Sequence, residues 1–150
     1  MDISNESMVT VLNKLLRTCY DSQHGYKLAA EHLSGSILSR TLTDYSAQRG
    51  RSASELVDEI IKYCGLPVQP DDLVQNVKRG WANLTDALSR KDEKAIIEEC
   101  RKGDEHAMEQ YESILTENLP PITKSLLLKH YEGMRQSVNR LKVLKKPAES

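Results

Sequence analysis

The chain has 150 residues, of which 39% are hydrophobic and 29% charged, and its formal net charge is -1. This length fits a single domain with its own core, and the near balance of charge argues against a general nucleic-acid binder, whose affinity depends on neutralising phosphates. No apolar run reaches the roughly 18 to 20 residues that span a bilayer, and the polar start of the sequence lacks the basic and apolar regions of a secretory signal, so we expect a cytoplasmic protein without a membrane partner.

Prolines divide the chain into long stretches without helix breakers. They stand in three places, at Pro67 with Pro70, at Pro120 with Pro121, and at Pro147. Proline removes a helical hydrogen bond and clashes with the preceding turn, so the stretches between these places are free to be helical. Apolar residues recur there at helical spacing, and no segment alternates between apolar and polar residues as a strand does. We therefore predict an all-α protein.

The helical stretches form two hairpins. Four long helices are predicted, over residues of about 5–33, 36–65, 91–117 and 120–145. Between the first two, Gly35 is a helix stop, and Ser34 or Ser36 is a cap for the helix that follows. The connection within each pair is short, which makes its two helices antiparallel neighbours.

The link between the second and third helices is longer. Asp71 and Asp72 are placed to cap a short helix over about 71–88, with apolar positions at Leu73, Val77, Trp81, Leu84 and Leu88. Such a helix is about 24 Å long, enough to carry the chain back along the bundle, so the third helix starts at the end where the second starts. Two hairpins joined by one long crossover make a ferritin-like four-helix bundle. We predict this fold, as a single domain over 1–150.

Metal-bearing ferritin-like bundles carry a Glu-x-x-His motif on each of two helices, together with further glutamates. The i, i+3 spacing puts both ligands on one helix face. In this chain only Asp21 and His24 have that spacing, and aspartate has a shorter reach than glutamate. A lone half-motif does not make a di-metal centre, so we predict no metal-binding residues.

Polar residues nevertheless stand near the middle of each long helix, where the helices face one another. They are Gln23 on the first, Arg49 on the second, Gly103 or Asp104 on the third, and His130 on the fourth. One interpretation is an internal polar layer in which Arg49 and Asp104 form a charge pair, because an unpaired buried charge is very costly. The alternatives are that these side chains rotate to the surface, or that they contact a ligand or metal.

The third helix is rich in acidic residues, which invites comparison with a cation site. Basic residues are interspersed at helical spacing, as on a solvated face with i, i+4 pairs. The acidic residues are Glu98, Glu99, Glu105, Glu109 and Glu112, and the basic ones are Arg101 and Lys102. We interpret this stretch as a solvated face.

The three cysteines are far apart in the sequence and form no CxxC pair. An odd number at this spacing fits a reducing compartment and argues against a structural zinc site. We predict that Cys19, Cys64 and Cys100 are buried free thiols that act as small hydrophobic residues; the alternative is a reactive or redox thiol.

Several short motifs of this chain occur together, in this order, in one bacterial protein family. They are Thr18-Cys19-Tyr20-Asp21 with Gly25-Tyr26, Arg79-Gly80-Trp81-Ala82-Asn83-Leu84, Glu98-Glu99-Cys100-Arg101-Lys102-Gly103-Asp104-Glu105, and Leu119-Pro120-Pro121. From Val9 to Leu144 the chain thus resembles a family of ferritin-like four-helix bundles of similar length that is classed as a domain of unknown function. The resemblance implies a cytoplasmic bundle with no established activity. Relatives with an acid at the position of His24 and a histidine at that of Val138 would carry ligands that this chain lacks.

These observations favour a non-catalytic structural, interaction or stress-related protein, which would form a homodimer through a helix face. The alternative is a di-iron or manganese oxidase, or an iron-handling protein, of ferritin type. The sequence holds no Gly-x-Ser-x-Gly elbow and no glycine-rich phosphate loop. We therefore assign no catalytic residue and no cofactor.

A histidine phosphotransfer domain is a third class, because it too is a small four-helix bundle. Its site needs an exposed histidine followed at fixed offsets by lysine and glycine. His24 has Lys27 at the expected offset, but Leu28 stands where glycine is required, and no lysine follows His32 in this way. The sequence favours this class least.

Overall fold

A computed structural model of the chain describes residues 3–70 and 80–145. Over these residues the chain is helical and contains no strand, so the predicted all-α bundle is confirmed. The helices are α1 (Asn5–His32), α2 (Ile37–Lys62), α3 (Leu84–Ser89), α4 (Glu93–Leu115) and α5 (Pro121–Lys145). No helix in the described ranges is long and apolar enough to cross a lipid bilayer.

Polar side chains cap α1, α2 and α4 where the chain enters these helices. The Ser4 hydroxyl accepts a hydrogen bond from the backbone N–H of Ser7 at the start of α1, and the Asp92 carboxylate does the same at α4. At α2 the cap is Ser36, one of the two predicted candidates, and Gly35 before it has a φ of 91°. This left-handed conformation suits glycine and reverses the chain, so α1 and α2 form a hairpin.

Two groups of side-chain hydrogen bonds show in which directions the long helices run. Each group joins all four helices and forms one layer across the bundle. The Arg49 layer consists of Tyr26, Arg49, Asp104 and Ser137. The His130 layer consists of Cys19, Glu55, Tyr111 and His130. From the first layer to the second, residue numbers rise on α2 and α4 and fall on α1 and α5. Thus α2 and α4 run in one direction, and α1 and α5 run in the other.

The link between α2 and α4 differs in part from the predicted helix of about 71–88. Its residues 71–79 lie outside the described residues, so the helix there stays a prediction. Residues 80–83 form a turn rather than a helix, and Gly80 has a φ of 82°. This left-handed conformation is incompatible with a right-handed helix, so α3 begins only at Leu84.

The indole of Trp81 anchors this link in the core. It is 3% exposed and lies between Gly25 of α1 and Gly103 of α4, where a Cβ atom on either glycine would overlap the ring. The Tyr26 ring meets it edge to face, with ring centroids 5.1 Å apart. Two glycines facing each other across neighbouring helices therefore make the slot that holds the only tryptophan of the chain.

Candidate functional site

A buried ion pair occupies the centre of the bundle. Arg49 of α2 is 2% exposed and Asp104 of α4 is fully buried. The Arg49 guanidinium donates from Nε to Asp104 Oδ1 at 3.1 Å and from Nη2 to Oδ2 at 2.5 Å. Tyr26 of α1 donates its hydroxyl to Asp104 Oδ2 at 2.6 Å, and Nη2 also donates to Ser137 of α5 at 2.9 Å. One cluster thus ties all four long helices together.

The charges in this layer stabilise each other. Burial acts to lower the pKa of Arg49, but the ion pair with Asp104 outweighs it and raises that pKa, so the guanidinium stays charged. Burial first, and then the neighbouring Asp104 carboxylate, hold the pKa of the Tyr26 hydroxyl well above its ordinary value. Tyr26 therefore remains a neutral donor, and the layer keeps one positive and one negative charge.

The donor set of this layer does not fit a di-metal centre. Such a centre needs carboxylate and imidazole groups that are free to coordinate cations, whereas both Asp104 oxygens already accept hydrogen bonds and Arg49 places a fixed cation beside them. The half-motif considered from the sequence is also split, since Asp21 is buried and His24 exposed. Among the described residues, no three His, Cys, Asp or Glu side chains form a group that would hold a metal ion.

A second hydrogen-bonded chain leads from the core to the surface. Cys19 Sγ lies 3.4 Å from the Tyr111 hydroxyl, which lies 2.9 Å from His130 Nδ1. On the other side of the ring, His130 Nε2 is 2.9 Å from Glu55 Oε1, and Lys129 donates to Glu55 Oε2 at 2.6 Å. Of the side chains in this hydrogen-bonded series, only Glu55 and Lys129 are exposed to solvent to a large extent.

Burial controls protonation along this second chain. It raises the pKa of the Cys19 thiol to about 11 and that of the Tyr111 hydroxyl well above its ordinary value. It also lowers the pKa of His130, despite the opposing effect of Glu55. The hydrogen bond from Lys129 is the main cause that lowers the pKa of Glu55. Near neutral pH this hydrogen-bonded series therefore contains the Cys19 thiol, the Tyr111 phenol, the neutral His130 imidazole and the Glu55 carboxylate.

We expect acidification to weaken the fold through His130. Because its pKa lies below the ordinary 6.5 in the folded state, the unfolded chain takes up a proton first. The stabilisation is complete above pH 6.5 and is lost as the pH falls through the folded-state pKa. Urea denaturation at about pH 7.5 and about pH 5.5 measures this loss. His130→Gln should flatten the dependence in this window, whereas the exposed His32→Gln should keep it; an unchanged slope in His130→Gln would contradict the assignment.

The structure distributes the predicted polar layer over three places. Arg49 and Asp104 meet as a pair, whereas His130 belongs to the next layer, with Glu55 and Tyr111. Gln23 is half-buried between α1 and α2, where its side-chain amide packs against Gly50. Gly103, the alternative to Asp104, lies against the indole of Trp81.

The prediction of three buried thiols is correct for two of them. Cys19 and Cys100 are buried and free. Cys64 is free but exposed, because it lies in the turn just after the end of α2, where its φ is 63°.

Sequence reasoning missed the hydroxyl and carboxylate partners of these residues. Tyr26 and Tyr111 fall within apolar stripes, since a tyrosine ring counts as a core side chain in a periodicity analysis although its hydroxyl needs a polar partner when buried. Glu55 and Ser137 had no signal of their own, because polar residues at such positions are common on exposed helix faces. A tyrosine inside an apolar stripe was the one available indication.

The acidic stretch of α4 has the predicted i, i+3 and i, i+4 ion pairs, but only part of it is a solvated face, since the side chains of Arg101, Glu98 and Glu99 are 18%, 17% and 13% exposed. Arg101 pairs with Glu98 and, at 2.6 Å, with Glu105, while Lys102 lies 3.4 Å from Glu99. All three pairs have i, i+3 or i, i+4 spacing. Glu105 also lies 3.7 Å from Lys142 of α5, so these carboxylates are engaged within α4 and with the neighbouring helix.

An open cleft lies between α2 and α5, over the two polar layers. It consists of a larger hollow of about 400 Å³, which Tyr45, Ser137 and Arg140 help to line, and a smaller hollow of about 280 Å³, which includes Arg49, Glu55 and His130 in its wall. Gln48 and Gly133 line both hollows and therefore mark the boundary between them. Both hollows reach buried polar groups of the two layers, namely Ser137 in the larger and Arg49 and His130 in the smaller.

Comparison with known proteins identifies the family of this chain. Residues 7–117 match the family model described as a domain of unknown function, DUF2383. No curated protein matches the sequence. The match includes α2 and α4 completely and α1 from Ser7 onward, and with them every residue of the Arg49 layer except Ser137. Because the matched residues are more than half of the chain, the protein belongs to the DUF2383 family of domains of unknown function.

Proposed function

We propose that this protein is a non-catalytic, cytoplasmic, ferritin-like bundle that acts by binding, as a structural, interaction or stress-related protein. The observation that carries this proposal is the Arg49–Asp104 ion pair at the centre of the bundle. In metal-dependent bundles of this type, inward-facing carboxylates and histidines hold the reactive ions at that place. Here a guanidinium fills it and engages the only carboxylate of the layer.

The ferritin-like assignment is supported by the order and direction of the helices. Two hairpins, α1–α2 and α4–α5, are joined by the longest connection of the chain. The layers of hydrogen bonds make α2 and α4 parallel. A four-helix bundle with one long crossover has this arrangement, whereas an up-down-up-down bundle would make those two helices antiparallel.

Metal analysis of the untagged protein tests the proposal. The protein is incubated with iron(II) and with manganese(II), desalted, and analysed by mass spectrometry for both elements, with Asp104→Asn as the matched variant. We expect far less than one metal ion per chain in both proteins. Stoichiometric metal in the wild-type protein would overturn the proposal in favour of an iron- or manganese-dependent protein. Its loss in Asp104→Asn, in a sample that circular dichroism shows to be folded, would place that metal in the Arg49 layer.

Pairing of two copies through a helix face belongs to the same proposal. Exposed aliphatic side chains support it, namely Ile37, Ile61, Ile122, Leu128 and Val143. Light scattering after gel filtration should give twice the chain mass of 17.0 kDa. A monomer mass at all concentrations would contradict the dimer and leave the assignment of the ion pair in place.

A further inference from the structure

The floor of the α2–α5 cleft is already satisfied by bonds within the protein. Arg49 is bound to Asp104 and Ser137, and the Ser137 hydroxyl donates to the carbonyl of Gly133 at 3.0 Å. In the smaller hollow, both ring nitrogens of His130 have partners. These groups are held rigidly and have little hydrogen-bonding capacity left.

The walls of the cleft are different, because several of their polar side chains have no partner. Within the described ranges, no hydrogen bond or salt bridge engages the side chains of Thr41, Gln48, Arg51, Ser52 and Arg140. They offer two guanidinium groups, two hydroxyls and one amide. Most of these groups are hydrogen-bond donors, so the matching ligand is rich in acceptor oxygens.

The charges of the cleft give the sign of that ligand. Asp104 neutralises Arg49, and Glu55 pairs with Lys129. This leaves Arg51 in the smaller hollow and Arg140 in the larger one, against the single carboxylate of Asp44. Each hollow thus has one arginine that is free to bind an oxyanion, in the bidentate geometry that favours phosphate and carboxylate groups.

Gly133 provides an independent indication at the boundary of the two hollows. It lies inside α5, where glycine weakens a helix relative to alanine. Packing gives no reason for it, since an added Cβ would come no closer than 4.0 Å to any neighbour, the Gln48 side-chain oxygen. Gly25 and Gly103, in contrast, are required by Trp81. The absence of a side chain at Gly133 leaves room for a ligand that extends from one hollow into the other.

We propose that the α2–α5 cleft binds an elongated phosphate-type oxyanion, with one anionic group beside Arg51, a second beside Arg140, and the middle of the ligand over Gly133. Together the two hollows have the size of a small-molecule site. This inference rests on the proposed function, in that it names the class of ligand through which a non-catalytic bundle would act.

Calorimetric titration of the full chain with inorganic tripolyphosphate and with orthophosphate, at one fixed ionic strength, tests the inference. We expect saturable binding of one tripolyphosphate per chain, at least tenfold tighter than orthophosphate because two groups are engaged. Arg51→Gln and Arg140→Gln should each weaken it about tenfold, the effect of losing one charged hydrogen-bonding group. Arg17→Gln, which removes an exposed arginine from α1 outside the cleft, should leave the affinity unchanged.

Gly133→Ala separates binding from folding. We expect a higher melting temperature, because alanine favours the helix, together with weaker tripolyphosphate binding. Absence of saturable binding, equal affinity for the two anions, equal losses in Arg17→Gln and Arg51→Gln, or unchanged binding in Gly133→Ala would each overturn the inference. A metal-free protein that fails to bind tripolyphosphate refutes the cleft alone, whereas stoichiometric metal refutes the proposed function itself.

Discussion

Replacing Asp104 with asparagine is expected to lower the free energy of unfolding by about 3 to 5 kcal/mol, because it leaves a buried charge without its partner. Asparagine has nearly the same shape as aspartate, so the substitution leaves no empty space in the core. Arg49, at 2% exposed, then keeps its charge without a counter-charge, and Tyr26 loses a charged acceptor. Urea denaturation followed by circular dichroism at neutral pH measures the difference.

Two controls give this result its meaning. In the triple variant Arg49→Met, Asp104→Leu and Tyr26→Phe both charges are gone, together with the buried hydroxyl that would otherwise lose its acceptor. Stability should then return close to that of the wild type, since apolar groups of similar volume often replace a buried pair without loss. Asp86→Asn breaks an exposed pair with Arg90 and should change stability little. If Asp104→Asn costs no more than Asp86→Asn, the ion pair is not what holds the layer together.

Replacing Gly103 with alanine is expected to push Trp81 out of its slot. The added Cβ overlaps the indole, which is held on its other side by Gly25, so the ring has no room to shift. Overpacking of this kind typically costs about 1 to 3 kcal/mol. Because Trp81 is the only tryptophan, its fluorescence reports on this place alone, and its emission should move to longer wavelength as the ring meets water.

The same substitution at Gly133 is the matched control. Both glycines lie inside long helices, but Gly133 has open space around its Cα. Gly133→Ala should therefore raise the free energy of unfolding by up to about 1 kcal/mol through helix propensity, with no shift in tryptophan emission. Equal effects of the two substitutions would show that the slot does not constrain Gly103.

The tryptophan slot and the Arg49 layer are built from adjacent residues of the chain. Gly25 and Gly103 make room for the indole, and the residues that follow them, Tyr26 and Asp104, enter the ion-pair cluster. The short motifs Gly25-Tyr26, Gly80-Trp81 and Gly103-Asp104 therefore describe one cluster in space. Damage to the tryptophan slot should also disturb the charge pair, so double variants across the two should be non-additive.

Local features of the sequence are enough to predict the four long helices and the charge pair at the centre of the bundle. Prolines and helical spacing located the four long helices, because helix breakers and an apolar stripe are local properties of a chain. The pairing of Arg49 with Asp104 could be predicted because the two opposite charges lie near the middle of helices that face each other, and a buried charge requires a counter-charge.

The level, rotation and spacing of these helices relative to one another depend on how they pack in three dimensions, which local sequence patterns do not report. Periodicity gives the face of a helix but not its level against a neighbour, so His130 joined Glu55 and Tyr111 rather than Arg49, and Gln23 stayed between α1 and α2. The α2–α5 cleft had no signal in the sequence, because its walls are far apart along the chain and their separation is set by the packing of whole helices.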